Sequence, residues 1–164
     1  MFFGIFGNNN NNNYTIIRAP MSGRIVNLAE LPDEVFAQKM VGDGIAIDPS
    51  EGAVVAPFDG AVKQVVSSGH AMVLESEEGL PVLIHIGLDT VNLKGEGFEI
   101  LVREGQTVKT GDLLVKFDLG VITRNFSPLS PVVLPEGEKV KGIEFTAEKQ
   151  VVRGRDVLMK VLLK

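Results

Sequence analysis

With 164 residues, 45 % of them hydrophobic and 23 % charged, the chain has the length and balance of one globular domain around a single core. A net charge of −5 with no long basic run argues against nucleic-acid binding, and the lack of cysteine removes disulfide scaffolds, thiolate zinc clusters and thiol nucleophiles. The apolar opening from Met1 to Gly7 is too short to span a bilayer and lacks the basic flank of a secretory signal, so a cytoplasmic protein is expected.

The run Asn8 to Asn13 is low complexity and cannot bury apolar surface. Residues 1–13 are therefore expected to form a flexible N-terminal segment ahead of one domain over 14–164. Phe2, Phe3, Ile5 and Phe6 then make either a foot that touches a membrane or partner, or a terminus packed loosely on the domain.

From Tyr14 onward the text reads as all-β. Gly44 to Ile47, Ala61 to Val66 and Leu113 to Phe117 are short β-branched or aliphatic runs punctuated by Gly, Pro, Asp and Ser. Only Pro32 to Met40 is expected to give a helical turn or two, with Pro32 at the first helical position. The segments Ala19-Pro20-Met21-Ser22-Gly23-Arg24-Ile25 and Ala56-Pro57-Phe58-Asp59-Gly60-Ala61-Val62 share the pattern A-P-x-x-G-x-(I/V). Each reads as a Pro-led turn, a glycine at positive φ and a strand, and their repetition suggests two related halves. Glu104 to Val108 and Gly111 to Leu114 form a further strand–turn–strand unit. The expected fold is a compact antiparallel β-sandwich or barrel-like domain with internal duplication and at most short helical turns.

The chain has two histidines, His70 and His85. Between them an apolar run, the polar Ser76-Glu77-Glu78-Gly79 and a second apolar run spell a hairpin. A turn centred on Glu77-Glu78 sets His70 directly across from His85; one centred on Glu78-Gly79 leaves them diagonal on one face. The same parity sends Ala71, Val73, Val82, Ile84 and Ile86 to the core, and Met72, Leu74, Leu83 and both histidines to the opposite face. A lone histidine in such a place is ordinarily a satisfied core residue, but a core has no need of two paired imidazoles. One ring can act as a nucleophile while the other donates a hydrogen bond to the anion formed, which suits phosphoryl transfer. A zinc site is the other chemistry two histidines offer. His85-Ile86-Gly87-Leu88-Asp89 spells H-x-x-x-D, but a hydrolytic zinc centre in that mould needs further histidines.

Val82-Leu83-Ile84-His85-Ile86-Gly87-Leu88-Asp89-Thr90-Val91, followed by Leu93-Lys94-Gly95-Glu96-Gly97-Phe98, closely resembles the phosphorylation-site segment of the glucose-type enzyme IIA family. That family belongs to the bacterial phosphoenolpyruvate-dependent sugar phosphotransferase system. Ala19 to Gly23, Val41-Gly42-Asp43-Gly44-Ile45-Ala46-Ile47, Gly69-His70-Ala71 and Ser130-Pro131-Val132-Val133 are similar to it as well, from about Thr15 to the C-terminus. The resemblance implies that His85 accepts a phosphoryl group on Nε2 from the small carrier HPr and passes it to the IIB domain of a sugar permease. His70 is implied to bond the phosphoryl oxygens, and Ser68 to orient an imidazole. Asp33 and Asp89 are implied at the rim, with Val35, Phe36, Met40, Val41, Met72, Leu83 and Val91 as the apolar docking surface. Some relatives carry phenylalanine at the positions of Val66 and Leu83, which alters the patch and not the histidines. No cofactor is implied, and the protein is expected to be a monomer in the cytoplasm that works transiently at the inner face of the membrane.

Two rival readings are weaker. A biotinyl or lipoyl carrier shares turns such as Glu104 to Asp112, but it needs a lysine at a hairpin tip, where this chain has Glu77-Glu78-Gly79. A regulatory binding protein would use the same surface on other targets, with zinc held by His70, His85 and a partner's carboxylate as an added feature.

Overall fold

The computed structural model describes Phe2–Phe3 and residues 14–164. In chain order its strands are β1 (Phe2–Phe3), β2 (Tyr14–Arg18), β3 (Gly23–Val26), β4 (Asp43–Pro49), β5 (Ala53–Val55), β6 (Gly60–Val65), β7 (Ala71–Ser76), β8 (Pro81–His85), β9 (Phe98–Ile100), β10 (Thr107–Val108), β11 (Leu113–Phe117), β12 (Ser130–Leu134), β13 (Val140–Thr146), β14 (Gln150–Val151) and β15 (Val157–Leu163). Two short helices, α1 (Glu34–Ala37) and α2 (Leu119–Thr123), and three single turns of 3₁₀-helix connect them. The strands form an eight-stranded sheet in the order β10-β6-β7-β8-β12-β4-β3-β14, a four-stranded sheet β1-β13-β15-β2 and a three-stranded sheet β5-β11-β9. All pairings are antiparallel, as the all-β reading of the sequence anticipated.

The duplication is real, and it lies in the hydrogen bonds. Ala19 donates to the carbonyl of Asp156 and accepts from Gly154; Ala56 donates to the carbonyl of Asp112 and accepts from Gly111. The two turns then meet across a pseudo-two-fold, with Arg18 N–H on the Pro57 carbonyl and Val55 N–H on that of Pro20. The reason for the repeated glycine is only in part the one expected. Gly60 is not at positive φ. A Cβ at Gly23 would stand 2.0 Å from the Asp48 carbonyl oxygen, and one at Gly60 2.1 Å from that of Glu75. Close approach to the next strand demands glycine at both positions, and at Gly23 the expected positive φ, 158°, is present as well.

One core joins all three sheets. Ile47, Leu74, Val82, Ile84 and Val132 from the large sheet meet Ile17, Leu158 and Val161 from the four-stranded sheet, and Val54, Leu114 and Val115 from the smallest. A second cluster covers the other face of the large sheet, where Leu28, Leu31 and Phe36 from the 27–41 segment pack on Ala46, Leu88 and Val133. Helix α1 in that segment begins two residues later than expected, at Glu34. Pro32 lies outside it, and Asp33 is the N-cap, its carboxylate accepting from the N–H groups of Val35 and Phe36 at 3.0 and 3.4 Å. Of the N-terminal foot, Phe2 and Phe3 pair with Thr146 and Phe145 on the edge of β13. Ile5, Phe6 and the Asn8–Asn13 run lie outside the described residues.

The histidine hairpin differs from expectation by one residue. β7 and β8 pair Ala71 with His85, Met72 with Ile84 and Leu74 with Val82. The loop holds three residues, Glu77, Glu78 and Gly79, with Gly79 at φ 89° and its N–H on the Ser76 carbonyl. Ser76 Oγ takes the N–H of Leu80 at 3.1 Å. The face assignment changes with the register. Met72 and Leu74 join Val82, Ile84 and Ile86 in the main core, and Val73 and Leu83 lie on the side of His85. Met72 is 1 % exposed, so it is not part of a docking surface. The energetics favour this register strongly. Each of those five buried side chains is worth about 1.5–3 kcal/mol, so a slip that turned them outward would cost on the order of 10 kcal/mol.

Candidate functional site

The site lies on the outer face of the large sheet, at the end of β8, beside the second hydrophobic cluster. His85 is the last residue of β8 and is half-buried. Its ring rests on that of Phe36, centroid to centroid 5.1 Å, and on the ring of His70 at 5.2 Å with an interplanar angle of 76°. The expected pair therefore exists, but strand alternation does not make it. The backbone of His70 is opposite Ile86, whose N–H bonds the His70 carbonyl at 2.7 Å. Strict alternation would send His70 inward with Met72. Instead His70 precedes β7 in a bend after Gly69, which has φ 80°, and Ser68 Oγ holds its Nδ1 at 2.6 Å. The predicted orienting role of Ser68 thus has a direct contact.

His85 Nδ1 stands 2.7 Å from the carbonyl oxygen of Gly87. A carbonyl can only accept, so Nδ1 carries the hydrogen, and in the neutral ring Nε2 carries the free lone pair. Burial lowers the pKa of His85 below its usual 6.5, outweighing the Gly87 carbonyl and the charges of Asp33 and Asp89, which pull it upward. Burial, and then the neighbouring His85, lower that of His70. Both rings are consequently neutral near pH 7, which is the nucleophilic form. The folded pKa values lie below those of the unfolded chain, so the unfolded chain holds more protons in the window between them. Stability is complete above about pH 6.5 and falls as the pH drops through that window. We expect both imidazole Cε1–H signals to titrate in NMR with midpoints below 6.5; a midpoint above 6.5 for either would contradict the desolvated site.

The rim is apolar and acidic. Val35, Met40 and Val91 are 44, 70 and 53 % exposed, among the few large hydrophobic side chains left open. Val41 and Leu83 are half-buried against the second cluster, and Phe36, at 7 % exposure, is its floor rather than its surface. Asp33 caps α1. Asp89 is exposed at φ 61° and makes no capping bond, and it borders an open cleft of about 470 Å³ lined also by Pro32, Arg124 and Ser127. Among the described residues no group of three His, Cys, Asp or Glu side chains is arranged to hold a metal.

Residues 15–140 match the family model of the phosphoenolpyruvate-dependent sugar phosphotransferase system, EIIA 1. The chain belongs to this family. The PTS system glucose-specific EIIA components of Bacillus cereus and Bacillus anthracis are each 42 % identical to it over 165 residues, with the whole of both chains covered. The glucose permease IIA from Mycoplasma capricolum has the same fold, with a TM-score of 0.80 and 36 % identity over 91 % of this chain and 96 % of that one. As an EIIA component the protein is a phosphoryl carrier of the phosphotransferase system, acting between its phosphocarrier and sugar permease components. No helix among the described residues is long and apolar enough to cross a membrane.

Sequence reasoning missed one functional group in this EIIA site, the carbonyl of Gly87. A glycine two residues after a candidate nucleophile was its signal. With φ 71° and a neighbouring oxygen 2.8 Å from where its Cβ would be, the residue can be nothing larger without strain.

Proposed function

We propose that His85 Nε2 takes the phosphoryl group from phospho-HPr and gives it to the IIB domain of a glucose-family permease. The observation that carries this reading is the 2.7 Å contact between His85 Nδ1 and the Gly87 carbonyl, which leaves Nε2 as the nucleophile beside a second imidazole. As the bond from phosphorus to the donor breaks, one to Nε2 forms, and the charge on the three phosphoryl oxygens needs donors already in place. His70 serves as one when Ser68 O–H donates to its Nδ1, since Nε2 of the neutral ring then carries the hydrogen. The hydrophobic rim of Val35, Met40, Val41, Leu83 and Val91 suits a small, transient interface. Asp33 and Asp89 suit basic residues on both partners. Glucose is the sugar we assign, because the 42 % identical relatives bear that name.

The transfer requires no cofactor. Zinc at His70 and His85 would need a third ligand from a partner, and belongs to regulatory docking on the same surface, as an addition to phosphoryl transfer. The test is transfer from phosphoenolpyruvate through enzyme I and HPr to wild type and to His70→Ala, followed by discharge to IIB. His70→Ala is expected to accept label on His85 and to discharge it about 10²–10³-fold more slowly, the usual cost of losing one donor to a developing anion. Discharge at the wild-type rate would remove His70 from the mechanism.

A further inference from the structure

The Gly87 carbonyl belongs to a loop in which two consecutive peptide planes are each held from both sides. In the first, between Ile86 and Gly87, the carbonyl accepts from Thr90 Oγ1 and the N–H donates to Ser130 Oγ at 3.0 Å. In the second, the Leu88 N–H donates to the Ser127 carbonyl at 3.0 Å, while the Gly87 carbonyl faces His85 Nδ1. Ser130 and Thr90 are both 0 % exposed. The hydroxyl hydrogen of Ser130 is committed to the Pro128 carbonyl at 2.8 Å, so a lone pair is left for Gly87 and the direction of that bond is set. Ser130 opens β12, just beyond the ladder that pairs Val132 with Ile84 and Val133 with Leu83. Its side chain therefore takes up an N–H that the strand pairing leaves over. The Thr90 methyl fills the space into which Gly87 would otherwise turn, 2.6 Å from where a Cβ would be.

We propose that Ser130 and Thr90 are positioning residues for phosphoryl transfer: they lock the peptide before Gly87, aim the Gly87 carbonyl, and so keep the hydrogen of His85 on Nδ1 and its lone pair on Nε2. Neither touches the phosphoryl group; both act through the Gly87 peptide. The kinetic consequence rests on the carrier reading above, but the tautomer consequence does not. Around metal-bound histidines, removing such a second-layer partner costs about 10–100-fold through the ring's orientation and tautomer, and the lower end of that scale is expected here.

The experiment is a long-range ¹H–¹⁵N correlation spectrum at about pH 8, where both rings are neutral, on wild type, Ser130→Ala, Ser130→Thr and Thr90→Val. Wild type and Ser130→Thr should show His85 only as the Nδ1–H tautomer. Ser130→Ala and Thr90→Val should show a second, Nε2–H population for His85 alone, with His70 unchanged, and uptake from phospho-HPr about tenfold slower, restored by threonine at 130. If Ser130→Ala does not fold, Ser130→Cys, close in volume and a weak acceptor, is read in the same way. His85 wholly in the Nδ1–H form in the folded variants overturns the proposal. A shifted tautomer in a protein whose wild type takes no phosphate would sink the carrier reading and leave the positioning role standing.

Discussion

Replacing His85 with alanine removes all phosphoryl uptake from phospho-HPr while the fold survives. The expectation has two parts because the side chain has two kinds of neighbour. Chemically, Nε2 of His85 is the lone pair freed by the Gly87 contact, and the only other imidazole has its Nδ1 tied to Ser68. Structurally, His85 sits on the outer face, so its loss opens no cavity in the main core and leaves the ring contacts with Phe36 and His70 unfilled. The Gly87 carbonyl loses its donor, but the vacated space is open to water, which limits the cost to about 1 kcal/mol. Acid-labile label after incubation with phosphoenolpyruvate, enzyme I and HPr measures the first part, and a thermal melt the second. Label retained on the variant would mean that another side chain accepts the phosphoryl group.

Gly87→Ala should be the most damaging single-methyl change near the site. An alanine at φ 71° costs about 1–2 kcal/mol before any contact is counted. Its Cβ would also lie 2.6 Å from Thr90 Cγ2 and 2.8 Å from the Ser127 carbonyl oxygen, both on buried or backbone groups that yield little. Overpacking of this kind adds about 1–3 kcal/mol. The total, about 2–5 kcal/mol, is best read against Gly79→Ala, which shares a positive φ, at 89°, but has nothing within 4 Å of its Cβ. Gly79→Ala should cost only the conformational part. Uptake should fall in Gly87→Ala and stay normal in Gly79→Ala, since only the first moves the carbonyl that faces His85. Chemical denaturation of both variants makes the comparison, and equal losses would show that the packing around Gly87 is softer than its geometry indicates.

The chemistry of the site was more legible in the sequence than its geometry. Two histidines around one hairpin were enough to pair His70 with His85, and the family resemblance singled out Ser68. A two-residue turn predicts a register one residue off, because Gly79 supports a three-residue loop with its last residue left-handed. That single residue moved Met72 from the docking surface into the core and Val73 out of it. The histidines still met, because a bend at Gly69 turns His70 out of the strand pattern. The duplicated A-P-x-x-G motif was visible as text, but the reason for its glycines needed the neighbouring carbonyls of Asp48 and Glu75. The hydroxyls of Ser130 and Thr90 had no local signal of their own. Ser130 acts on Gly87 across 43 residues of chain, and nothing in a run of neighbours announces such a bond.

NMR of the phosphorylated ¹⁵N-labelled protein decides whether Nε2 of His85 is the phosphoryl acceptor. Phosphorus–nitrogen coupling identifies the bonded nitrogen without any substitution. One phosphoryl group per chain is expected, bonded to Nε2 of His85, with His85 Nδ1–H still donating to Gly87 and His70 unmodified. A phosphoryl group on Nδ1 of His85, or on His70, would contradict that assignment.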